Sequence, residues 1–440
     1  MPDIASHNGV AVADIASING QDVPSGTGGV SESNTGVLYF EAGGFNVQIP
    51  YADKIFAGQG VSLYKAQLDS RTDIVKIDVN RYSWWGLSSS NVLYSAGYSS
   101  NIHQLGRTAS TTNTSTAAWL LKESLTNVAK FTPHQNGAFA IKTDGTLWWC
   151  GSISNYANSS DTGQSTNNVN YGWLQFGSDT DWVDLISWTG YPTTVFAIKG
   201  TGSSKYLYVA GQNATGKTAQ NTTSGTTKPF TRVLTDDGSG GTTNWAKNPS
   251  KFDLNYDYVV VVTDDGEFWA CGEGQYGALG QGNTTDSRLM IRVGSDSDWD
   301  RPFAPDRYHA YCQKTDGTLY GSTDSLYRTT LRASTVDRTY RLVNSDTDWQ
   351  EIIGKPKWTS ASGTYLFLIK KGGAWYFINR NSLNAFQGGS TSSNSTLNDL
   401  IAFNTFMQGN DVTGTIVTGH INWKNGSSNT GNEVLTLVVT

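Results

Sequence analysis

The chain has 440 residues, a formal net charge of −6 and only 15% charged residues, and it shows no Lys/Arg cluster able to neutralise a run of phosphates, which disfavours a nucleic-acid partner. Its 48 glycines and 12% aromatic residues, among them 15 Trp and 21 Tyr, describe many short strands and tight turns rather than long helices. No segment approaches the roughly 20 apolar residues that a bilayer demands, so membrane insertion is not expected.

The N-terminal segment carries an internal duplication. IASHNGVAV, from Ile4, returns as IASINGQDV, from Ile15. Each copy alternates apolar and polar residues around an Asn-Gly pair, Asn8-Gly9 and Asn19-Gly20, which predicts two small hairpins or edge strands. The segment has neither a basic n-region nor a long apolar h-region, so an ordinary secretion signal is not expected. PSGTGGVSESNT, residues 24–35, reads as a link. The expected organisation is therefore a leader with its linker over 1–35 and a single β unit over 36–440.

From residue 73 onward an Asn or Asp followed by Ile, Val or Trp recurs, with its second member at Ile74, Val128, Trp182, Trp245, Trp299, Trp349 and Trp423. Most successive anchors are separated by roughly 50 residues, a period typical of repeat architectures. Two intervals are longer, Trp182 to Trp245 and Trp349 to Trp423, and they hold polar stretches read as inserted loops, at Thr222 to Gly241 and at Gln387 to Asp399. Between anchors the chain reads as a hairpin: AFAIKTDGTLWWCG from Ala138, VFAIKGTGSSKYLYVAG from Val195, VVVVTDDGEFWACG from Val259, AYCQKTDGTLYG from Ala310 and YLFLIKKGGAWYF from Tyr365. In each, β-branched and aromatic runs flank a turn whose glycine supplies positive φ.

A unit of about 50 residues with about four strands cannot bury both faces alone, and radial stacking of such sheets gives a β-propeller. Seven anchors predict seven blades. The stretch from Trp423 to Thr440 and the stretch from Gly36 to Asp73 together make one repeat's length. NEVLTLVVT is thus expected to pair with GVLYFEAGGFNVQIP or KIFAGQGVSLYKAQL, closing the ring and removing its exposed edges.

Gly272-Glu-Gly-Gln-Tyr-Gly277 fits the G-x-G-x-x-G dinucleotide pattern, but ALGQGNTTDSRLM follows where an amphipathic helix should begin. These glycines are expected to let the chain turn between strands where a side chain would clash, and no cofactor is expected. GSDTDW, GSDSDW and NSDTDW, ending at Trp182, Trp299 and Trp349, invite a calcium reading. Each lacks the further oxygen ligands of a complete loop, so Asx turns capped by a buried Trp are favoured. His7, His103, His134, His309 and His420 show no zinc spacing, and no G-x-S-x-G elbow accompanies them. Cys150, Cys271 and Cys312 lie inside apolar runs and are read as buried side chains. No catalytic or metal-binding set stands out, and the chain is expected not to be an enzyme.

The KTDG or TDDG turn, the strand ending in Cys-Gly or Ala-Gly and the tail GEGQYGALG together resemble the repeat of the regulator of chromosome condensation, RCC1. That resemblance covers about residues 36–440 and implies an all-β, seven-bladed propeller closed by N- and C-terminal strands. The fourth unit matches best, whereas YLYVAGQNATGKTAQ keeps only the first half. The duplicated Ile-Ala-Ser-x-Asn-Gly leader resembles that of virion structural proteins of tailed bacteriophages, particularly those of cyanobacteria. It implies a non-enzymatic virion component: residues Ile4, Asn8, Gly9, Ile15, Asn19 and Gly20 dock on other particle proteins, and the propeller faces a host receptor or glycan as a tail or baseplate adhesin or a head-decorating protein. Loops at Arg107 to Ala117, Thr222 to Gly241 and Gly388 to Asp399 are the expected contact surface. As the alternative, the RCC1 resemblance admits a cellular protein-interaction module or a nucleotide exchange factor, although no exchange residue can be placed. A polysaccharide hydrolase is a third reading.

Overall fold

The computed structural model describes residues 73–79, 83–97, 105–106, 122–134, 137–152, 169–188, 193–213, 215–305, 309–323, 337–353 and 366–379, together with the backbone of strands towards the two chain ends. Every regular element in these regions is a β-strand. The described strands form seven sheets of four to six strands and two separate two-stranded ribbons. The second sheet sets the pattern: Val128–His134, Gly137–Lys142, Leu147–Ser152 and Val169–Gln175 follow one another across the sheet in chain order, all antiparallel. The first, third, fifth and sixth sheets are built the same way, opening with Ile74–Val79, Trp182–Trp188, Trp299–Phe303 and Trp349–Ile353.

One backbone device recurs at the start of six sheets. The residue before each first strand accepts a hydrogen bond from the turn after the second strand: Ser89 to Asp73, Thr143 to Asn127, Gly200 to Asp181, Asp264 to Asn248, Thr315 to Asp298 and Gly372 to Asp348, all at 2.8–3.0 Å. Immediately afterwards the register slips by one residue, between Ile74/Lys76, Val128/Lys130, Trp182/Asp184, Pro249/Lys251, Trp299/Arg301 and Trp349/Glu351. Such a bulge bends and twists the strand, so each sheet starts with the same kink.

This device relocates two of the seven anchors. In the fourth sheet the position equivalent to Trp182 or Trp299 belongs to Pro249, which opens the strand Pro249–Leu254, and not to Trp245. In the seventh sheet the slip falls between Ile416 and Thr418, while Trp423 stands near the far end of Ile416–Lys424. Tryptophan is therefore an imperfect marker, because Ile74, Val128 and Pro249 hold the same place before the slip. Trp245 is nevertheless 1% exposed, held in the core by its amide donating to Val233 O at 2.9 Å.

The stretch expected as a polar loop over Thr222 to Gly241 also differs. Thr226–Arg232 is the fourth strand of the third sheet, and Leu234–Asp236 runs parallel to Ser287–Arg292 while pairing with Thr242–Asn244, which extends the fourth sheet to six strands. The inserted residues add pairing to a sheet that would otherwise end at Ser287–Arg292.

At the chain ends, Asn432–Val439 pairs with both Ile416–Lys424 and Gly36–Ala42, and Val61–Gln67 and Ala52–Gly58 complete that sheet. Ile416–Lys424 lies beside Ile74–Val79 and beside Trp349–Ile353. Near the N-terminus, Ser6–His7 pairs with Val10–Ala11 and Ser17–Ile18 with Gln21–Asp22 in matching register. Ile4, Asn8, Gly9, Ile15, Asn19 and Gly20 themselves lie outside the described residues, as do the expected contact loops at 107–117 and 388–399.

The core lies between consecutive sheets. Phe139, Ile141, Leu147 and Trp149 of the second sheet meet Trp182, Leu185, Val195, Ala197 and Ala210 of the third, and equivalent sets join the third to the fourth and the fourth to the fifth. Second strands are buried on both sides, as in Tyr258–Thr263 with its run of four valines, because each is flanked by a neighbouring sheet on either face. Cys150, Cys271 and Cys312 are free and buried in these layers.

Candidate functional site

Three surfaces arise from this architecture. The first is the face carrying the hairpin turns. In the third, fifth and sixth sheets the two aspartates before the anchor Trp converge on the lysine that ends the second strand. Lys199 lies 2.6 Å from Asp179 and 3.9 Å from Asp181, Lys314 lies 2.7 Å from Asp296 and 3.0 Å from Asp298, and Lys371 lies 3.2 Å from Asp346 and 2.9 Å from Asp348. Each ammonium also sits 4.9–5.6 Å from the anchor ring, over Trp182, Trp299 and Trp349, where the ring quadrupole attracts a cation. Partial burial alone would lower these lysines, but the flanking carboxylates outweigh it and hold all three above their usual value. The alternating aspartates thus enclose a cation supplied by the chain itself. In the second sheet no Asp-x-Asp precedes Val128, and Lys142 instead stands 4.0 Å over Trp148.

Hairpin glycines seat this face against the next sheet. A Cβ on Gly145, Gly266 or Gly317 would collide with the carbonyl oxygen of Thr180, Ser297 or Thr347, and all three have φ between +75° and +87°. The carbonyls of Gly145 and Gly266 in turn accept hydrogen bonds from the amides of Trp182 and Trp299, both at 3.1 Å.

The second surface is the opposite face, where third and fourth strands connect. GEGQYGALG lies here. Gly272, Gly277 and Gly280 all have positive φ, and no helix follows. Gly277 and Gly280 instead form a seam with the fifth sheet: Ser322 Oγ donates to Gly277 O at 2.6 Å, Tyr340 Oη to Ala278 O at 3.1 Å and the Gly282 amide to Arg338 O at 2.8 Å. The third sheet contains the same seam, of which the sequence shows only the first half. Gly216 stands against Arg288 as Gly277 stands against Arg338, and the Asn221 amide donates to Arg288 O at 3.0 Å as Gly282 does to Arg338 O. By this spacing Lys217 occupies the place of Ala278, and it is 0% exposed. The constant spacing from the glycine to the amide that crosses to the next sheet, Gly216 to Asn221 and Gly277 to Gly282, was the available signal.

The third surface is formed by the first strands. First strands of neighbouring sheets lie side by side, Val128–His134 with Trp182–Trp188 and Pro249–Leu254 with Trp299–Phe303. Because of the repeated bulge, the second residue after each anchor points away from the core. Those residues are Lys76, Lys130, Asp184, Lys251, Arg301 and Glu351, every one charged. They bond from sheet to sheet: Lys130 lies 3.7 Å from Asp184, Lys251 lies 2.5 Å from Asp300, and Arg301 donates to Gln350 O. Surrounding protein raises the Glu351 carboxyl, while Lys370, Arg301 and Lys76 pull it down and Asp253 pushes it up. Glu351 therefore senses charges on the first strands of the first, fourth and fifth sheets. The set holds four cations and two anions, and Asp300 outside it pairs with Lys251.

Of the five histidines, His134 and His309 have described side chains, and both are buried. Burial lowers His134 to about 3, which keeps it neutral. Among the described residues no group of three His, Cys, Asp or Glu has the arrangement of a metal site, and no helix is long and apolar enough to cross a membrane.

No protein-family model matches the chain, and no curated protein matches it. Among solved structures, Prp20p from Saccharomyces cerevisiae, described with its binding properties to Gsp1p and histones, is similar at a TM-score of 0.59 and 10% identity over 93% of this chain and 92% of that one. Human WBSCR16 is similar at a TM-score of 0.58 and 12% identity, covering 92% and 99% of the two chains. Yeast RCC1 (Prp20) bound to Kap60 gives a TM-score of 0.56 and 10% identity over 92% and 89%. At these identities the likeness concerns the fold, an RCC1-like β-propeller.

Proposed function

We propose that this chain is a non-enzymatic interaction scaffold, a closed seven-bladed propeller of the RCC1 type that engages a macromolecular partner through the loops of its blades. Seven sheets and the adjacency of Ile416–Lys424 to Ile74–Val79 support a ring sealed by strands from both chain ends. The observation that carries the reading is the constancy of the frame beneath variable loops. Six sheets share one bulge and one turn hydrogen bond, whereas the connections between third and fourth strands differ in length and chemistry, the usual division between scaffold and binding surface. The similar yeast propeller is described with the protein partners Gsp1p, histones and Kap60, which favours a protein as partner here.

A second reading rests on the leader. The two ribbons at Ser6–Ala11 and Ser17–Asp22 share one register, and a two-stranded ribbon is marginal in water without a covering partner. In this reading the leader docks the chain on a virion, where the propeller serves as an adhesin or decoration towards host-surface receptors or glycans.

Proximity labelling from the full chain tests the first reading. A partner should be recovered with the wild type and lost when residues 107–117 or 388–399 are replaced by a Gly/Ser linker of equal length in a chain that still unfolds cooperatively. Recovery independent of every such loop would overturn it. Deleting residues 1–30 separates the two readings, since virion docking requires them and loop-mediated binding does not.

A further inference from the structure

We infer that Lys217, held by the backbone carbonyls of Tyr256 and Asn255, forms a buried clamp between the third and fourth sheets and makes that junction a pH-responsive seam of the molecule. Lys217 lies in the connection between the third and fourth strands of the third sheet, where Asn213 Oδ1 accepts from the Gly216 amide at 2.9 Å and fixes the bend. Its ammonium crosses to the fourth sheet, donating to Tyr256 O at 2.6 Å and reaching Asn255 O at 3.4 Å. Asn255 prepares that receptor: its Oδ1 accepts from the amides of Asp257 and Tyr258 at 2.8 and 3.0 Å, which turns the carbonyls of 255 and 256 towards the lysine. Thr215 Oγ1 donates to Asp257 O at 2.8 Å and ties the same two loops together.

The surroundings are closed. Lys217 is 0% and Asp257 1% exposed, the Tyr256 ring lies 5.5 Å from the ammonium, and Cys271 Sγ donates to Lys217 O at 3.2 Å. The titratable and charged groups facing the lysine are Asp257, Cys271 and Tyr256, and Arg288 flanks Gly216 from the fourth strand. Burial pushes the Cys271 thiol up to about 12, so it carries no charge near neutrality. Burial lowers Lys217 from 10.5 to about 7, with Asp257 opposing the fall. In the unfolded chain the lysine keeps its proton up to the higher value, whereas in the folded chain it releases it from the lower one. The unfolded state therefore binds more protons between these limits, and stability rises with pH across that window. Below it, the cost of burying an ammonium is carried in full.

The equivalent place at the next junction is Ala278, so no corresponding titration exists there.

Thermal unfolding of the full chain between about pH 6 and pH 10, with Lys217→Met alongside in matched buffers, tests the clamp. The wild type should gain on the variant as pH rises through the window between about 7 and 10.5, the gap changing by about 5 °C. Parallel profiles would overturn the proposal. Asp257→Asn gives a second test that does not require the methionine variant to fold. Without the carboxylate that raises Lys217, the rise in stability should begin at lower pH than in the wild type, and an unchanged onset would equally contradict the clamp.

Discussion

The junction of the third and fourth sheets and that of the fourth and fifth are the same seam built with different chemistry. Gly216 and Gly277 make the same turn, at φ +87° and +77°, and each lies against an arginine on the next sheet's fourth strand, Arg288 or Arg338. Beyond that point they diverge. The first seam holds Lys217, Ala219 and Met290, and the second holds Ala278, Gly280 and Tyr340. Ala219 and Gly280 both adopt positive φ, +49° and +68°, yet only the second must be glycine for reasons of space, because a Cβ on Gly280 would lie 2.5 Å from the Tyr340 ring. Met290 takes the place of Tyr340 in the first seam and leaves room for the alanine. A repeat can thus keep its backbone while exchanging side chains in compensating sets.

The largest effect falls on the anchors. Trp299 is 5% exposed and meets Phe268, Tyr320 and Tyr340 at ring separations of 5.5, 5.3 and 6.0 Å. Trp299→Ala should cost about 3–5 kcal/mol in chemical denaturation, with the loss concentrated at the fourth–fifth seam in hydrogen exchange.

A sharper comparison comes from Gly280→Ala. It should cost about 3 kcal/mol, from the collision with Tyr340 together with roughly 1 kcal/mol for the left-handed backbone. Adding Tyr340→Met, which imitates the other seam, should recover much of the loss in a double-mutant cycle. Gly282→Ala is the control: its φ is +74° but its nearest neighbour is 3.6 Å away, so only about 1 kcal/mol should be lost.

The smallest effect concerns the Asp-x-Asp-Trp strings. Asp296 and Asp298 are about half exposed beside Lys314, so Lys314→Met should cost no more than about 1 kcal/mol and the loss should shrink in high salt. Calcium should leave the unfolding temperature of the wild type unchanged, because the lysine already fills the space between the carboxylates.

Strand pairs around Asp-Gly and Gly-Gly turns were legible in the sequence, because glycine at positive φ between β-branched runs has few other readings. The repeat was legible for the same reason. Anchor positions were legible where Ile, Val or Trp followed the Asn or Asp: Pro249 and Ile416 hold the same backbone position without that pattern, while Trp245 and Trp423 lie at other places in the sequence. The lysines between paired aspartates were hidden because their partners are distant along the chain, as Lys314 is from Asp296 and Lys371 from Asp346, and meet only when the second strand folds back across the first. Lys217 was hidden by chemistry, since a lysine among Gly, Thr and Ala reads as solvent-facing. The charged set on the first strands could not emerge until the bulges fixed which residue after each anchor faces away from the core.

The central claim is that strands from both chain ends share one sheet and close the ring. Val438 and Val37 lie directly opposite in that sheet, and antiparallel partners have Cα separations compatible with a disulfide. Cysteines introduced at both positions should oxidise to an intramolecular bridge in the folded monomer, seen as a loss of two mass units and a shift on a non-reducing gel. Both thiols remaining free under mild oxidant, in a chain that is otherwise folded, would contradict the closed ring.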